Sequence, residues 1–197
     1  MNNKRDPDPA LARWYFLPSL DAHCSRLPAG LAARVPRAVR LASAGLMRAA
    51  ARVPSRAQIG WLQSAGFQPE PHAWRLLSLQ AGGRYFSSAL RRTTGSALSS
   101  QLAAEMGAER WRACLAWVDP GLDAVVSVGG PGAGDVVACA GAELLLAHME
   151  GAGEAFKARL RLRSAQADIQ YCSTLYPPAD GAACRRIADA VLGQGTE

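Results

Sequence analysis

Three side chains near the start of the chain have the residue types of a serine-hydrolase triad. Asp21, His23 and Ser25 lie within five positions of one another. Catalytic triads are assembled in space from separate elements, and the chain contains no Gly-x-Ser-x-Gly nucleophile elbow. We therefore expect a solvated loop here, without hydrolytic chemistry.

The histidines and cysteines are the residue types that could ligate a metal. His23 is followed by Cys24, but His72 and His148 are distant in sequence, and the five cysteines contain no Cys-x-x-Cys spacing. Zinc sites normally show such spacing, so we expect no metal site, and the cysteines are predicted to be reduced, buried thiols. The glutamates at 105, 109, 143, 150 and 154 are predicted to be surface charge, with no pair spaced for acid–base chemistry.

A glycine-rich segment, Gly129-Gly-Pro-Gly-Ala-Gly134, precedes a predicted helix, which is the position where backbone N–H groups can hold a phosphate. The segment lacks the Gly-Lys-Ser/Thr ending of a P-loop, and Asp135 would repel an anion at the helix start. A turn or mobile loop is the preferred interpretation, and no cofactor is predicted.

Arginines on one helix face are the strongest chemical feature of the sequence. Residues 1–104 carry a net charge of +10 and residues 105–197 a net charge of −4, which gives +6 for the whole chain. No carboxylate lies between Asp21 and Glu70. Within that stretch, helical spacing puts a basic face opposite Val39, Leu46 and Val53. The predicted partner-binding arginines are Arg34, Arg37, Arg40, Arg48 and Arg52.

The basic face can be an ordinary solvated helix surface, or it can bind a nucleic acid, a membrane or a protein. Most charged helix faces are only solvated. A nucleic-acid site would call for interleaved aromatics or a recognition helix, and a membrane-binding helix would call for Trp or Phe on its apolar side. Because both signals are missing, an acidic protein partner is the most economical functional interpretation. The aromatic block Trp14, Tyr15 and Phe16 is the second candidate partner site.

The elements that must position these residues are predicted to be helices. Apolar residues at helical spacing, bounded by proline and glycine, predict a mainly α fold: a single irregular bundle of seven or eight helices. A short strand or extended segment is possible only near 125–128, where β-branched residues cluster. The expected organisation is a flexible N-terminus at 1–9, one helical domain at 10–193 and a flexible C-terminus at 194–197.

The basic helix is predicted between Pro36 and Pro54, and a second helix is predicted from Ser55 to Gly66. Further helices are predicted from Pro71 to about Thr94, between Gly95 and Gly107, and from Ala108 to Val118, the last with Trp111, Leu115 and Val118 on one side. The remaining predicted helices are Ala138–Met149, Glu154–Arg163 and a last helix ending at Leu192. Gly82-Gly83 can kink or split the helix that begins at Pro71. The first sixteen residues contain acids and prolines where a signal peptide has an apolar region, and no apolar run approaches the roughly 18 residues of a membrane span. A cytoplasmic protein without direct membrane insertion is therefore expected.

Three stretches resemble the SctK/YscK/OrgA-type accessory proteins of bacterial type III secretion systems, including their Hrp-type counterparts. They are Trp14–Ser19 with Leu27-Pro28, the central segment Leu76–Gly95 continuing to Leu102, Gly107 and Trp111, and Phe156–Leu162. The chain departs from the family pattern at Leu17, where a polar residue or His is usual, and at the glycine segment 129–134, which has no counterpart in the family pattern.

The resemblance implies a non-enzymatic adaptor of the cytoplasmic sorting platform, a protein-transport assembly associated with virulence. Such an adaptor bridges the cytosolic domain of the membrane-ring protein and the pod protein SctQ, and through them is held at the inner membrane. No catalytic residue carries over. Two alternatives remain open: an arginine-rich nucleic-acid-binding helical module, whose affinity would fall steeply with salt, and an enzyme that uses the glycine segment 129–134.

Overall fold

The computed structural model describes Ser43 and Ala44 and residues 71–93, 95–122, 128, 132–148, 153–161 and 181–192. These residues form seven α-helices and one 3-10 turn, and none of them lies in a strand. The predicted mainly α, multi-helix fold is confirmed. Val128 is buried and lies in neither a helix nor a strand; the rest of the segment 125–128 is outside the described residues.

The chain divides into two compact units. One consists of Met1–Pro71 with Glu150–Gln166, and the other of His72–Met149 with Ala167–Glu197. In the first unit, Ser43 and Ala44 are helical, within the helix predicted between Pro36 and Pro54, and a helix spans Gly153–Arg161, where Glu154–Arg163 was predicted. The prediction of one domain over 10–193 depends on ranges outside the described residues and stays a prediction.

The second unit begins with two nearly continuous helices, α1 (Pro71–Tyr85) and α2 (Ser87–Arg92). The two glycines do not split the helix, because both lie inside α1; the interruption is at Phe86 instead. The Phe86 N–H still donates to the Gly82 oxygen (2.9 Å), so the helical hydrogen bonding continues through the interruption. The Tyr85 and Phe86 rings meet edge to face at 5.0 Å.

Glycines precede and follow α3 (Ala97–Met106) as predicted, and α4 (Ala108–Ala116) begins at the predicted Ala108 but ends two residues before the predicted Val118. Gly95 and Gly107 have φ angles of 88° and 84°, a region in which other residues are strained. The Ser96 hydroxyl accepts from the Ser99 N–H (3.2 Å) and caps α3. Gly107 ends α3 and begins α4, so one residue connects the two helices.

The next helix, α5 (Ala133–His148), starts five residues before the predicted Ala138. Its first two residues, Ala133 and Gly134, are small and show no apolar periodicity. After the first unit's helix, α6 (Gly153–Arg161), the second unit ends with α7 (Gly181–Leu192), close to the predicted last helix. Helix α7 buries one face against α5; its buried residues are Ala183, Cys184, Ile187, Ala188 and Val191.

Helices α1 and α5 cross at a point where their backbones touch. A Cβ on Gly82 would overlap the carbonyl oxygen of Val137, and one on Gly141 would overlap the carbonyl oxygen of Ser78 and the nitrogen of Gly82. Only glycine allows backbones to approach this closely. Around the crossing, α3 packs on α4 and α5, and α2 packs on α4. The largest fully buried side chains of this unit are Leu79, Phe86, Leu90, Leu102, Met106, Leu122, Leu145 and Leu146.

Candidate functional site

The predicted partner-binding residues all lie outside the described part of the chain. They are the five arginines Arg34, Arg37, Arg40, Arg48 and Arg52 and the aromatic residues Trp14, Tyr15 and Phe16. The same holds for Asp21, His23 and Ser25. These assignments therefore remain sequence-based predictions, and the structure instead reveals charged side chains of the second unit that meet across long stretches of sequence.

Arg75 of α1 joins three helices on the surface. Its Nη2 donates to both oxygens of Glu105 in α3 (3.0 and 3.1 Å), and its Nη1 donates to Asp135 in the first turn of α5 (2.9 Å). Burial alone would lower the pKa of Arg75, but the hydrogen bonds and charges of the two carboxylates outweigh burial and raise it. Glu105, predicted to be plain surface charge, thus belongs to an ion-pair cluster.

Asp135 also determines whether the described end of the glycine segment 129–134 can bind an anion. Its last two residues, Ala133 and Gly134, already belong to α5, and Gly132 precedes the helix with a φ of 77°. The Gly132 oxygen accepts from the N–H groups of Asp135 and Val136 (2.9 and 3.1 Å). The described end of the segment therefore carries a carboxylate held by Arg75, and this charge opposes the binding of an anion there.

A buried arginine and a buried thiol lie between α1 and α4. Arg84 is buried, and its guanidinium lies over the Trp117 ring, 5.4 Å from the centroid. The Cys114 thiol donates to the Gln80 oxygen at 3.6 Å. Burial raises the pKa of Cys114 to about 11, although the charge of Arg84 opposes this. Burial likewise lowers the pKa of Arg84, against the effect of Cys114. The thiol is therefore protonated at neutral pH, which makes it a poor nucleophile.

The residues Trp117, Val118 and Asp119, which we call the connector, leave α4 toward the 3-10 turn Pro120–Leu122. Helix α4 ends at Ala116, so the prediction that Val118 lies on its apolar side is wrong; the side chain is 74% exposed. Arg91 of α2 donates through Nη1 to the carbonyl oxygens of Leu115 (2.9 Å) and Trp117 (2.8 Å). A cation at this position satisfies carbonyls that a helix end leaves without a partner.

The other end of the connector is held by α7. Arg186 donates through Nε and Nη2 to the two oxygens of Asp119, both at 2.9 Å. The Asp119 side chain is only 3% exposed, whereas the Arg186 side chain is 53% exposed. This bidentate pair attaches the connector to α7 and neutralises a buried carboxylate.

The described cysteines agree with the predicted thiols, since Cys114, Cys139 and Cys184 are buried and none of the three is in a disulfide; Cys24 and Cys172 lie outside the described residues. Among the residues that the structure describes, no group of three or more His, Cys, Asp or Glu could hold a metal ion. The described helices include none that is both long and apolar enough to cross a membrane.

Sequence reasoning missed the pairs that hold the second unit together. Arg75 and Asp135 are 60 positions apart, and Arg186 and Asp119 are 67 positions apart. No family model, no curated protein and no solved structure matches this chain. The residues and their geometry are therefore the basis on which a function is inferred. In the described part, the converging charged groups of Arg75 connect three helices, and the Arg186–Asp119 pair connects α7 to the connector.

Proposed function

We propose that this chain is a non-enzymatic protein–protein adaptor of the cytoplasmic sorting platform of a type III secretion system. It would bridge the cytosolic domain of the membrane-ring protein and the pod protein SctQ. The chain takes part in secretion by holding these two proteins together, and it performs no chemistry of its own.

The observation that carries the proposal is the fold of the central segment that resembles the family. Leu76–Gly95 and its continuation to Trp111 form four consecutive helices, α1 to α4, whose Leu79, Leu90 and Leu102 are fully buried. The resemblance thus concerns residues that build a core, which is what a shared fold requires.

The basic face of the helix predicted between Pro36 and Pro54 is proposed as one partner site. Its arginines form a positive surface without neighbouring carboxylates in sequence, which complements an acidic protein surface. Val39, Leu46 and Val53 on the opposite side would attach this helix to its own unit.

The test co-expresses the full chain with the pod protein and with the cytosolic ring domain from the same genome. Arg48→Glu/Arg52→Glu should abolish co-purification of one partner, since like charges across an interface cost several kcal/mol. It should change stability by no more than about 0.5 kcal/mol per site. The control Ser100→Glu/Ala104→Glu introduces the same number of glutamates at exposed positions of α3 and should retain both partners.

Leu46→Ala separates folding from binding. If its face is buried, the change should cost about 2–5 kcal/mol of stability. Wild-type recovery of both partners by Arg48→Glu/Arg52→Glu would remove the basic face from the proposal and leave Trp14–Phe16 as the next site to test. If the wild-type chain binds neither protein, the adaptor function is wrong, and nucleic-acid affinity that falls steeply with salt would then favour the alternative module.

A further inference from the structure

We draw no further inference here: the strongest candidate, the surface patch at Val118 in the connector that follows α4, is a single exposed apolar side chain whose neighbouring arginines Arg91 and Arg186 already bind groups of this chain, and nothing in the part that the structure describes shows what covers it.

Discussion

Two consecutive glycines of α1 contact two different helices, and the contacts differ in kind. Gly82 lies against the backbone of α5, where a Cβ would overlap the Val137 carbonyl oxygen. Gly83 lies against Cys114 of α4, where a Cβ would be 2.9 Å from the sulfur; the terminal methyl group of Met106 in α3 would be at an ordinary contact distance of 3.8 Å. A Cβ at Gly82 would therefore meet backbone atoms, whereas a Cβ at Gly83 would meet only side-chain atoms.

This difference separates two ways in which glycine determines helix packing. At the α1–α5 crossing, the carbonyl that a new methyl group would meet is fixed within a helix and cannot move without moving the helix. On the α4 side, the obstacle is a thiol on a rotatable bond, although it is buried and packed. We expect the first contact to tolerate no side chain and the second to adjust at a moderate cost.

The largest effect is expected for Gly141→Ala at the α1–α5 crossing. Alanine improves helix propensity by about 1 kcal/mol, but here its Cβ would overlap backbone atoms of Ser78 and Gly82. The steric overlap should outweigh the gain in helix propensity, and the free energy of unfolding should fall by about 3 kcal/mol or more in urea denaturation. Gly181→Ala is the control, since a Cβ there meets nothing within 4 Å and should leave stability unchanged or slightly higher. Equal stability of the two variants would show that the helices do not cross this closely.

The second-largest expected effect is a loss of stability at high pH, caused by Cys114 of α4. Cys114 is buried, and its pKa rises from 9.0 to about 11 in the folded chain, so the unfolded chain loses this proton first. The thiol's contribution to stability is complete below pH 9 and is lost as the pH rises toward 11. The loss is about 2 to 3 kcal/mol, from 1.36 kcal/mol per pKa unit.

The measurement compares urea denaturation of the wild type and Cys114→Ala at intervals from pH 7.5 to 11. Other groups titrate in both proteins, so only the difference between the two curves reports on Cys114. That difference should be constant below pH 9 and should shrink above it. Parallel curves over the whole range would contradict the buried position of this thiol.

A smaller change is expected for Gly83→Ala, which should destabilise the fold by about 2 kcal/mol. The cost arises from the Cys114 sulfur, so Cys114→Ala should recover part of it in a double-mutant cycle. Gly82→Ala should show no such coupling, because its obstacle is the Val137 backbone. Additive effects of Gly83→Ala and Cys114→Ala would mean that the two positions do not touch.

The smallest effects concern the arginines that connect the helices. Arg186→Met should cost about 1 kcal/mol, because it leaves the buried Asp119 carboxylate without its bidentate partner. Arg75→Met should cost less than about 0.5 kcal/mol, since Arg75 and its two carboxylates are well exposed. Thermal denaturation at low and high salt measures both, and a larger loss for Arg75→Met would reverse our ranking of the two ion pairs.

The helices could be predicted where local signals set their ends. Gly95 and Gly107 bound α3 because their positive φ angles favour glycine, and Leu102 and Met106 supply its buried side. The early start of α5 was missed because Ala133 and Gly134 carry no apolar periodicity. Such small residues are buried here by close packing on other helices, which a sequence pattern does not report.

The described part of the candidate site could not be predicted in the same way. Arg91 and Arg186 are 26 and 67 positions from the residues that they contact in the connector, so only the three-dimensional structure brings them together. Val118 was assigned to the apolar side of α4 because its spacing continued that of Trp111 and Leu115. Spacing predicts exposure only while the helix continues, and α4 ends at Ala116.

Because Gly107 alone connects α3 to α4, we expect the chain to tolerate no inserted residue at this point. A helix turns by roughly 100° per residue, and Gly107 is the end of α3 as well as the beginning of α4. One inserted residue that extended either helix would rotate Trp111 and Cys114 out of the core and bring Arg110 or Arg112 toward it. Natural insertions, epitope tags and new chain termini should therefore be absent from this junction, even though Gly107 lies at the surface.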